Sequence, residues 1–424
     1  MHKDLYFISN SDKTTKVKRI AFVGNTSFSL YNFRIGVMRS FKSQGFEIFA
    51  IAPVDQYSDF FKTEGIQHIP IKIDCKGTNL FNDIKLICKL INIYKKNRID
   101  FIFHYTIKPV IYGSLACDFL KIPSIAVTTG LGYTFLKNDF LNKIVSLLYK
   151  FSLRHVLDVW FLNSNDRETF IKRKIVKPEN TYILHGEGID TEYFSQKQST
   201  AAHEKTTFLL LSRLIKEKGI EEYAKAAAKL RDKGLNVECL LLGKAENDNP
   251  ENISIEKVMK WHNAGMINFI GESIDVRKYI LNSDCVVLPS YYKEGVPRCL
   301  MEAMSMQRPI ITTNNVGCIE LIVDKVNGLI CEPRNVEDLA SKMEEMHLAT
   351  DEVRKSYGIN GRKRILDFFD EKIIIRQYHE KFNSLLKTNY DKRFHSVIQP
   401  ISFRNKEINK NFVSFRNSFR SFFN

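Results

Sequence analysis

Arg213, Lys216 and Lys218 fall close together in the stretch TFLLLSRLIKEKGIEEYAKAA, between a run of apolar strand formers and a helical pattern that opens after Gly219. Positive side chains and the unpaired N–H groups of a helix start converge there on one anionic position, the combination that a diphosphate needs. A second stretch, SDCVVLPSYYKEGVPRCLMEAMSMQRPIITTN, places Glu294 in a loop before a helix that begins near Pro297, with Glu302 eight residues further on. Pro297 suits a first helical turn. A carboxylate accepts two hydrogen bonds from vicinal hydroxyls, which fits Glu302 to a ribose and Glu294 to a sugar. Gly295 lets the backbone come close, and the amides of Gly295 and Val296 at the helix start add an anion or hydroxyl site. Alone, the basic loop reads as solvated surface and the two glutamates as charges on a solvated helix. Together, beyond the ends of strands, they predict one site for a phosphorylated, hydroxyl-rich ligand.

Those strands belong to a pattern that runs through the chain. From Lys18, short β-branched runs alternate with helical ones: RIAFVGN, a helix over Phe33 to Gln44, FEIFAIAP, and a helix around Tyr57 to Glu64. HIPIKI, DFIFHYT and SIAVTT continue it, and their nearly unbroken apolar content suits parallel strands covered on both faces. The pattern restarts after the polar stretch Ser195 to Thr206 with TFLLLSR, a helix over Glu221 to Lys233, VECLLLG, INFIG, CVVLPS, PIITTN and GLICEP. The expected class is α/β, with two Rossmann-like, doubly wound parallel-sheet domains facing across a cleft. The expected organisation is an N-terminal domain over 1–194, a linker over 195–206, a C-terminal domain over 207–370, a helix over 371–391 and a basic aromatic tail over 392–424. Ligands of such sheets bind beyond the carboxyl ends of the strands, so the cleft is the expected site.

The 424 residues suffice for two cores, and 44% hydrophobic with 26% charged residues is the composition of an ordinary globular chain. No apolar run is long enough to span a bilayer and Met1 to Asn10 has no signal-peptide core, from which a cytoplasmic location is expected. The eight cysteines are scattered without a CxxC pair and read as reduced, buried hydrophobes. The formal charge of +15 attracts anions without selecting among nucleic acid, anionic lipid and phosphorylated substrates. LLGKAEND lacks the glycine spacing and the Ser or Thr of a P-loop, which argues against an NTPase.

The SRL followed by KEKG, the E-x7-E of EGVPRCLME and the run PIITTNNVGCIELIVDKVNGLI resemble the C-terminal signatures of glycosyltransferase family 4, whose members are retaining enzymes of the two-domain GT-B fold. The likeness is close over Thr206 to Pro333. VGNTSFSLYNFR, DFIFHYTIKPVIYGSLA and TTGLGYTF are similar to bacterial members that extend lipid-linked oligosaccharides, including N-acetylgalactosaminyltransferases. The resemblance implies transfer of a hexose or N-acetylhexosamine from a nucleotide sugar, UDP-linked in preference to GDP-linked, to a lipid-linked glycan in bacterial polysaccharide or glycoprotein glycan assembly. It assigns the donor diphosphate to Arg213 and Lys218, the ribose to Glu302, and the donor sugar to Glu294 with Gly295 and Val296. It also assigns His104, at the end of DFIFH, to the reaction centre. A lone histidine after an apolar strand otherwise reads as a structural hydrogen-bonding residue.

No metal or other cofactor is implied, since charge on the departing nucleotide is met by the two cations. Gly24 and Asn25, at the first strand-to-helix turn, suit either close approach to the donor phosphate or acceptor, or a plain tight turn. The two-glycine loop of many relatives is missing there. Gly130 and Gly132 suit either an acceptor wall or a structural turn, and Lys108, Arg34 and Arg298 are further cations for the cleft.

Two segments bear on membranes. The stretch Leu141 to Leu157 reads first as core packing and second as a membrane-surface face. The tail interleaves Arg404, Lys406, Lys410, Arg416 and Arg420 with phenylalanines, which fits either an anionic headgroup layer or packing on the protein. The expected location is therefore cytoplasmic and peripheral on the inner face of the cell membrane. The rival readings are a GT-B isomerase or phosphorylase, and a non-catalytic membrane or polyanion-binding scaffold. A phosphorylase would need a pyridoxal-bearing lysine apparatus, which is not assignable here.

Overall fold

The computed structural model describes residues 17–74, 80–130, 140–196, 205–245, 249, 251–292 and 295–389. Among them, seven strands form an all-parallel sheet: β1 (Arg19–Val23), β2 (Glu47–Ala52), β3 (Gln67–Pro70), β4 (Phe101–Tyr105), β5 (Ser124–Thr128), β6 (Asp158–Phe161) and β7 (Thr181–Ile183). Six more form a second: β8 (Thr206–Leu211), β9 (Val237–Leu242), β10 (Asn268–Gly271), β11 (Cys285–Leu288), β12 (Ile310–Thr313) and β13 (Gly328–Cys331). Their orders are β3-β2-β1-β4-β5-β6-β7 and β10-β9-β8-β11-β12-β13. Each sheet therefore reverses its winding next to its first strand, between β1 and β4 and between β8 and β11, and those switch points are where open α/β sheets bind ligands.

Alternation along the strands explains why the apolar runs are continuous. In β1, Ala21 and Val23 pack in one layer and Ile20 and Phe22 in the opposite one; in β8, Phe208 and Leu210 face one layer and Leu209 and Leu211 the other. With both faces covered by helices, most strand positions are apolar. Burying a Phe or Leu at such a position contributes roughly 1.5–3 kcal/mol.

Three boundaries differ from expectation. The first helix spans Ser27–Ser43, six residues earlier than the apolar pattern suggested, because the Thr26 side chain caps it by accepting from the Ser29 amide at 3.0 Å. The second helix is shorter, Phe60–Thr63. The crossing to the second sheet precedes the polar Ser195 to Thr206 stretch: Ile189 and Phe194 are already buried in the C-terminal core. Gly186 and Gly188, both at φ +77°, make the bend. Ile189 then pairs with Asp370 where the chain returns.

The returning segment forms the helix Glu371–Asn389, which sends Ile374, Tyr378 and Phe382 into the N-terminal core. Tyr378 packs on Trp160 at 4.8 Å and Phe382 on Phe101 at 4.8 Å between ring centroids, while Lys381 reaches the buried Asp158 carboxylate at 3.0 Å. The stretch Leu141 to Leu157 is helical only as far as Ser152, in the helix Phe140–Ser152, with Tyr149 buried and Leu147 exposed. No helix among the described residues is long and apolar enough to cross a membrane. The tail from 390 onward lies outside the described residues.

Candidate active site

A cleft of about 1460 Å³ runs between the two sheets, walled by the loops that follow β1, β4 and β5 on one side and those that follow β8, β9 and β11 on the other. Two of the C-terminal loops are built against each other at the switch point. The Glu217 carbonyl accepts from the amides of Tyr291 at 2.8 Å and Tyr292 at 3.2 Å and from the Ser290 hydroxyl at 3.2 Å. Gly219 completes the turn at φ +74°, where a Cβ would run into the carbonyl oxygen of Pro289. Gly219→Ala thus meets both left-handed strain and a backbone clash. It should lower unfolding free energy by about 2 kcal/mol or more in urea titrations, with the β8 loop displaced.

This turn presents the predicted cations. Arg213 and Lys218 both line the cleft and converge on one aromatic ring, the guanidinium at 6.0 Å and the ammonium at 5.5 Å from the centroid of Tyr292. Lys218 is buried and Arg213 exposed, so the lysine meets an anion in the drier place. Lys216 is exposed and does not line the cleft.

Across the switch point Pro297 is the extended residue that caps the helix Arg298–Ser305. Gly295, Val296 and Glu302 line the same cleft, and Glu294 lies outside the described residues. Gly295 is a point of contact between the halves: a Cβ there would sit 3.1 Å from the Thr129 carbonyl oxygen after β5 and 3.2 Å from Leu162. Glu302 accepts from Arg298 Nε at 2.9 Å, one turn back on the same helix. Burial raises the Glu302 carboxyl above the usual glutamate range, and Arg298 opposes the shift without cancelling it.

The acceptor-side assignments need correction. His104 is the fourth residue of β4, fully buried, and does not line the cleft. Its Nε2 lies 3.1 Å from the Tyr94 hydroxyl, its Nδ1 has no hydrogen-bond partner, and burial pushes its pKa down to about 3. A neutral imidazole in the core cannot touch a reacting sugar. The cleft is lined instead by the next residues, Tyr105, Thr106, Ile107 and Lys108. Gly24 also falls short of the cleft, whose lining begins at Asn25. The Gly24 amide already donates to Ile51 O at 3.1 Å, and a Cβ there would meet Leu30 at 2.8 Å, so the residue is a tight turn and not a donor ligand. Gly130 lines the cleft, and Gly132 lies outside the described residues.

The other candidate cations lie on the cleft with partners of their own. Lys108 is paired with Asp83 at 2.7 Å, and Asp83 also accepts from the Tyr112 hydroxyl at 2.7 Å. Arg34, from the first helix, donates to Glu187 at 2.5 Å and lies 4.5 Å over the ring of Tyr105. Glu187 was not singled out in the sequence, nor was Lys244, which lines the cleft two residues after β9. Its position beyond the end of a buried parallel strand was the available signal.

Two facing Rossmann-like sheets with a cationic, carboxylate-bearing cleft at their switch points define a GT-B glycosyltransferase. Residues 192–364 match the family model "Glycosyl transferases group 1" and residues 19–163 match "Glycosyl transferase 4-like", so the two stretches together span most of the chain. The chain belongs to this glycosyltransferase family and is an enzyme of that class. It is 27% identical over 385 residues, 87% of this chain and 99% of the relative, to the N,N'-diacetylbacillosaminyl-diphospho-undecaprenol alpha-1,3-N-acetylgalactosaminyltransferase of Campylobacter jejuni. It is 24% identical over 313 residues, 70% of this chain and 78% of the relative, to the Escherichia coli UDP-Gal:alpha-D-GlcNAc-diphosphoundecaprenol alpha-1,3-galactosyltransferase. Anabaena HepE, solved in complex with UDP, superposes with TM-score 0.71 at 17% identity, covering 87% of this chain and all of that one.

Proposed function

We propose that the enzyme transfers a hexose or N-acetylhexosamine, with retention, from a UDP-sugar to a lipid-linked glycan in bacterial polysaccharide or glycoprotein glycan assembly. The observation that supports it most is the convergence of Arg213, Lys218 and Glu302 on one cleft at a switch point. The names of the two relatives, both acting on diphospho-undecaprenol-linked sugars, support the acceptor, and the UDP-bound fold relative supports the donor. Residues 207–370 supply the donor side and the N-terminal domain the acceptor side. The basic aromatic tail holds the enzyme peripherally on the anionic inner face of the membrane, at the cytoplasmic side.

In this reading Lys218 and Arg213 grip the diphosphate and neutralise the charge that grows as the bond from the anomeric carbon to phosphate oxygen breaks. The acceptor hydroxyl oxygen attacks the same face of that carbon, and its proton passes to the departing phosphate oxygen. Glu302 holds the ribose. Glu294, by its place in the sequence, holds the donor sugar with the Gly295 and Val296 backbone. Purified enzyme should release UDP from one member of a nucleotide-sugar panel when a polyprenyl-diphosphate sugar is present. Absence of release across the panel would refute the reading.

The raised carboxyl of Glu302 gives this assignment a pH signature. Its ionised form accepts both ribose hydroxyls, so donor KM should rise as pH falls, starting above the ordinary glutamate midpoint of about 4.3. Glu302→Gln should bind donor weakly at every pH and lack that step. A step that persists unchanged in the variant would assign it to another group.

A further inference from the structure

The N-terminal wall of the cleft carries a group of rings that neither the diphosphate grip nor the ribose contact uses. Phe28, Tyr31, Phe33 and Tyr57 all line it, Phe28 with 44% of its surface exposed. Tyr31 and Phe33 are partly exposed and Tyr57 is buried beneath them, and a contiguous apolar patch open to a cleft ordinarily marks a binding surface. Phe28 meets Phe33 at 5.7 Å and Tyr57 at 5.2 Å, and Tyr31 meets Tyr57 at 6.0 Å. On the opposite side of the same cleft, Tyr193 is 48% exposed and its ring is backed by the Arg277 guanidinium at 3.8 Å.

The rings are held in place by the backbone beneath them. Asp55, in the loop after β2, accepts from the Phe28 amide at 2.8 Å with one carboxylate oxygen and from the Tyr57 amide at 2.8 Å with the other. The Ser27 hydroxyl donates to Pro53 O at 2.7 Å beside them. One carboxylate therefore clamps the start of the first helix to the β2 loop and fixes two of the rings. Such a platform is ordered before any ligand arrives, which lowers the cost of binding.

From this we infer that the aromatic wall is a subsite for pyranose rings of the acceptor glycan, reached by sugars beyond the one that receives the transfer. The inference rests on the proposed glycan acceptor. A pyranose presents a face of C–H groups and a rim of hydroxyls. The C–H face matches the negative face of an aromatic ring, and the rim needs polar neighbours. Asn32 and Gln56 line the cleft on the same wall and supply them. A polyprenyl chain fits less well, because an aliphatic tail laid across Asn32 and Gln56 would desolvate their amides without pairing them. A nucleobase fits less well too, because the diphosphate and ribose contacts that would anchor it stand on the C-terminal wall.

The test is saturation-transfer NMR on the full chain with methyl glycosides of glucose, galactose, N-acetylglucosamine and N-acetylgalactosamine, N,N'-diacetylchitobiose, farnesyl phosphate and uridine. At least one saccharide should receive saturation at its ring C–H protons. Its affinity should fall about fivefold or more in Phe28→Ala and Tyr31→Ala and be kept in Phe28→Trp and Tyr31→Phe, with urea unfolding curves verifying that each variant is folded. The inference is overturned if no saccharide binds, if the alanine variants bind as the wild type does, or if farnesyl phosphate or uridine is the probe whose signal they lose. A thermal shift of the wild type by UDP, read in parallel, distinguishes failure of this subsite from failure of the donor reading.

Discussion

Lys218→Ala should lower kcat/KM by about 10²–10³-fold, the largest single effect on turnover expected in this enzyme. The buried ammonium sits at the switch point, where water is scarce and a charge acts at short range. Negative charge on the diphosphate grows as the sugar departs, so the lysine stabilises the transition state more than the bound donor, and the loss should fall mainly in kcat. Arg213, converging on the same Tyr292 ring but exposed, is screened by solvent, and its alanine variant should cost about tenfold. Steady-state kinetics with donor and acceptor varied separately decide this. Equal losses in the two variants, or a loss confined to donor KM, would place the developing charge elsewhere.

Arg34→Met should destabilise the fold by about 3–5 kcal/mol, the largest effect expected on stability, because it strands the Glu187 carboxylate against a guanidinium that is gone. The Arg34 side chain is 3% and that of Glu187 11% exposed, and the pair closes at 2.5 Å. Burial works against the Arg34 charge, yet Glu187 together with Tyr378 and Tyr105 outweighs it and the guanidinium stays protonated. The residues are 153 apart in sequence and join the first helix to the segment that crosses between the sheets. Arg34 also covers Tyr105, whose hydroxyl lies 3.1 Å from that of Tyr378 on the returning helix. Arg34→Met with Glu187→Leu should recover much of the loss, since an apolar pair leaves no uncompensated charge. Urea unfolding of both single variants and the double variant measures it; additive losses would mean that the two side chains do not interact.

The sheets were legible wherever apolar runs were long. TFLLLSR, CVVLPS and PIITTN became β8, β11 and β12 because both faces of each strand are covered and no charged position interrupts the pattern. β6, which opens on the charged Asp158, and β7, only three residues long, left no clear apolar run. The C-terminal wall of the cleft was legible because Arg213, Lys218, Gly295 and Glu302 lie in two short segments on either side of one switch point. The N-terminal wall was not. His104 was placed at a strand end that is in fact Tyr105, and one residue along a strand reverses the face. Arg34 with Glu187, and the ring platform pinned by Asp55, are made by tertiary contact between distant segments and have no local signal.

The account turns on whether a nucleoside diphosphate is held by Lys218 in this cleft. Thermal unfolding of the wild type and of Lys218→Ala with and without saturating UDP tests that directly, because a ligand that binds the native cleft stabilises it by linkage, about 2.7 kcal/mol at a hundredfold excess over Kd. UDP carries the full charge that the leaving diphosphate develops, so the account predicts that it raises the wild-type Tm and shifts that of Lys218→Ala far less. An unmoved wild-type Tm, or an equal shift in both proteins, would contradict it.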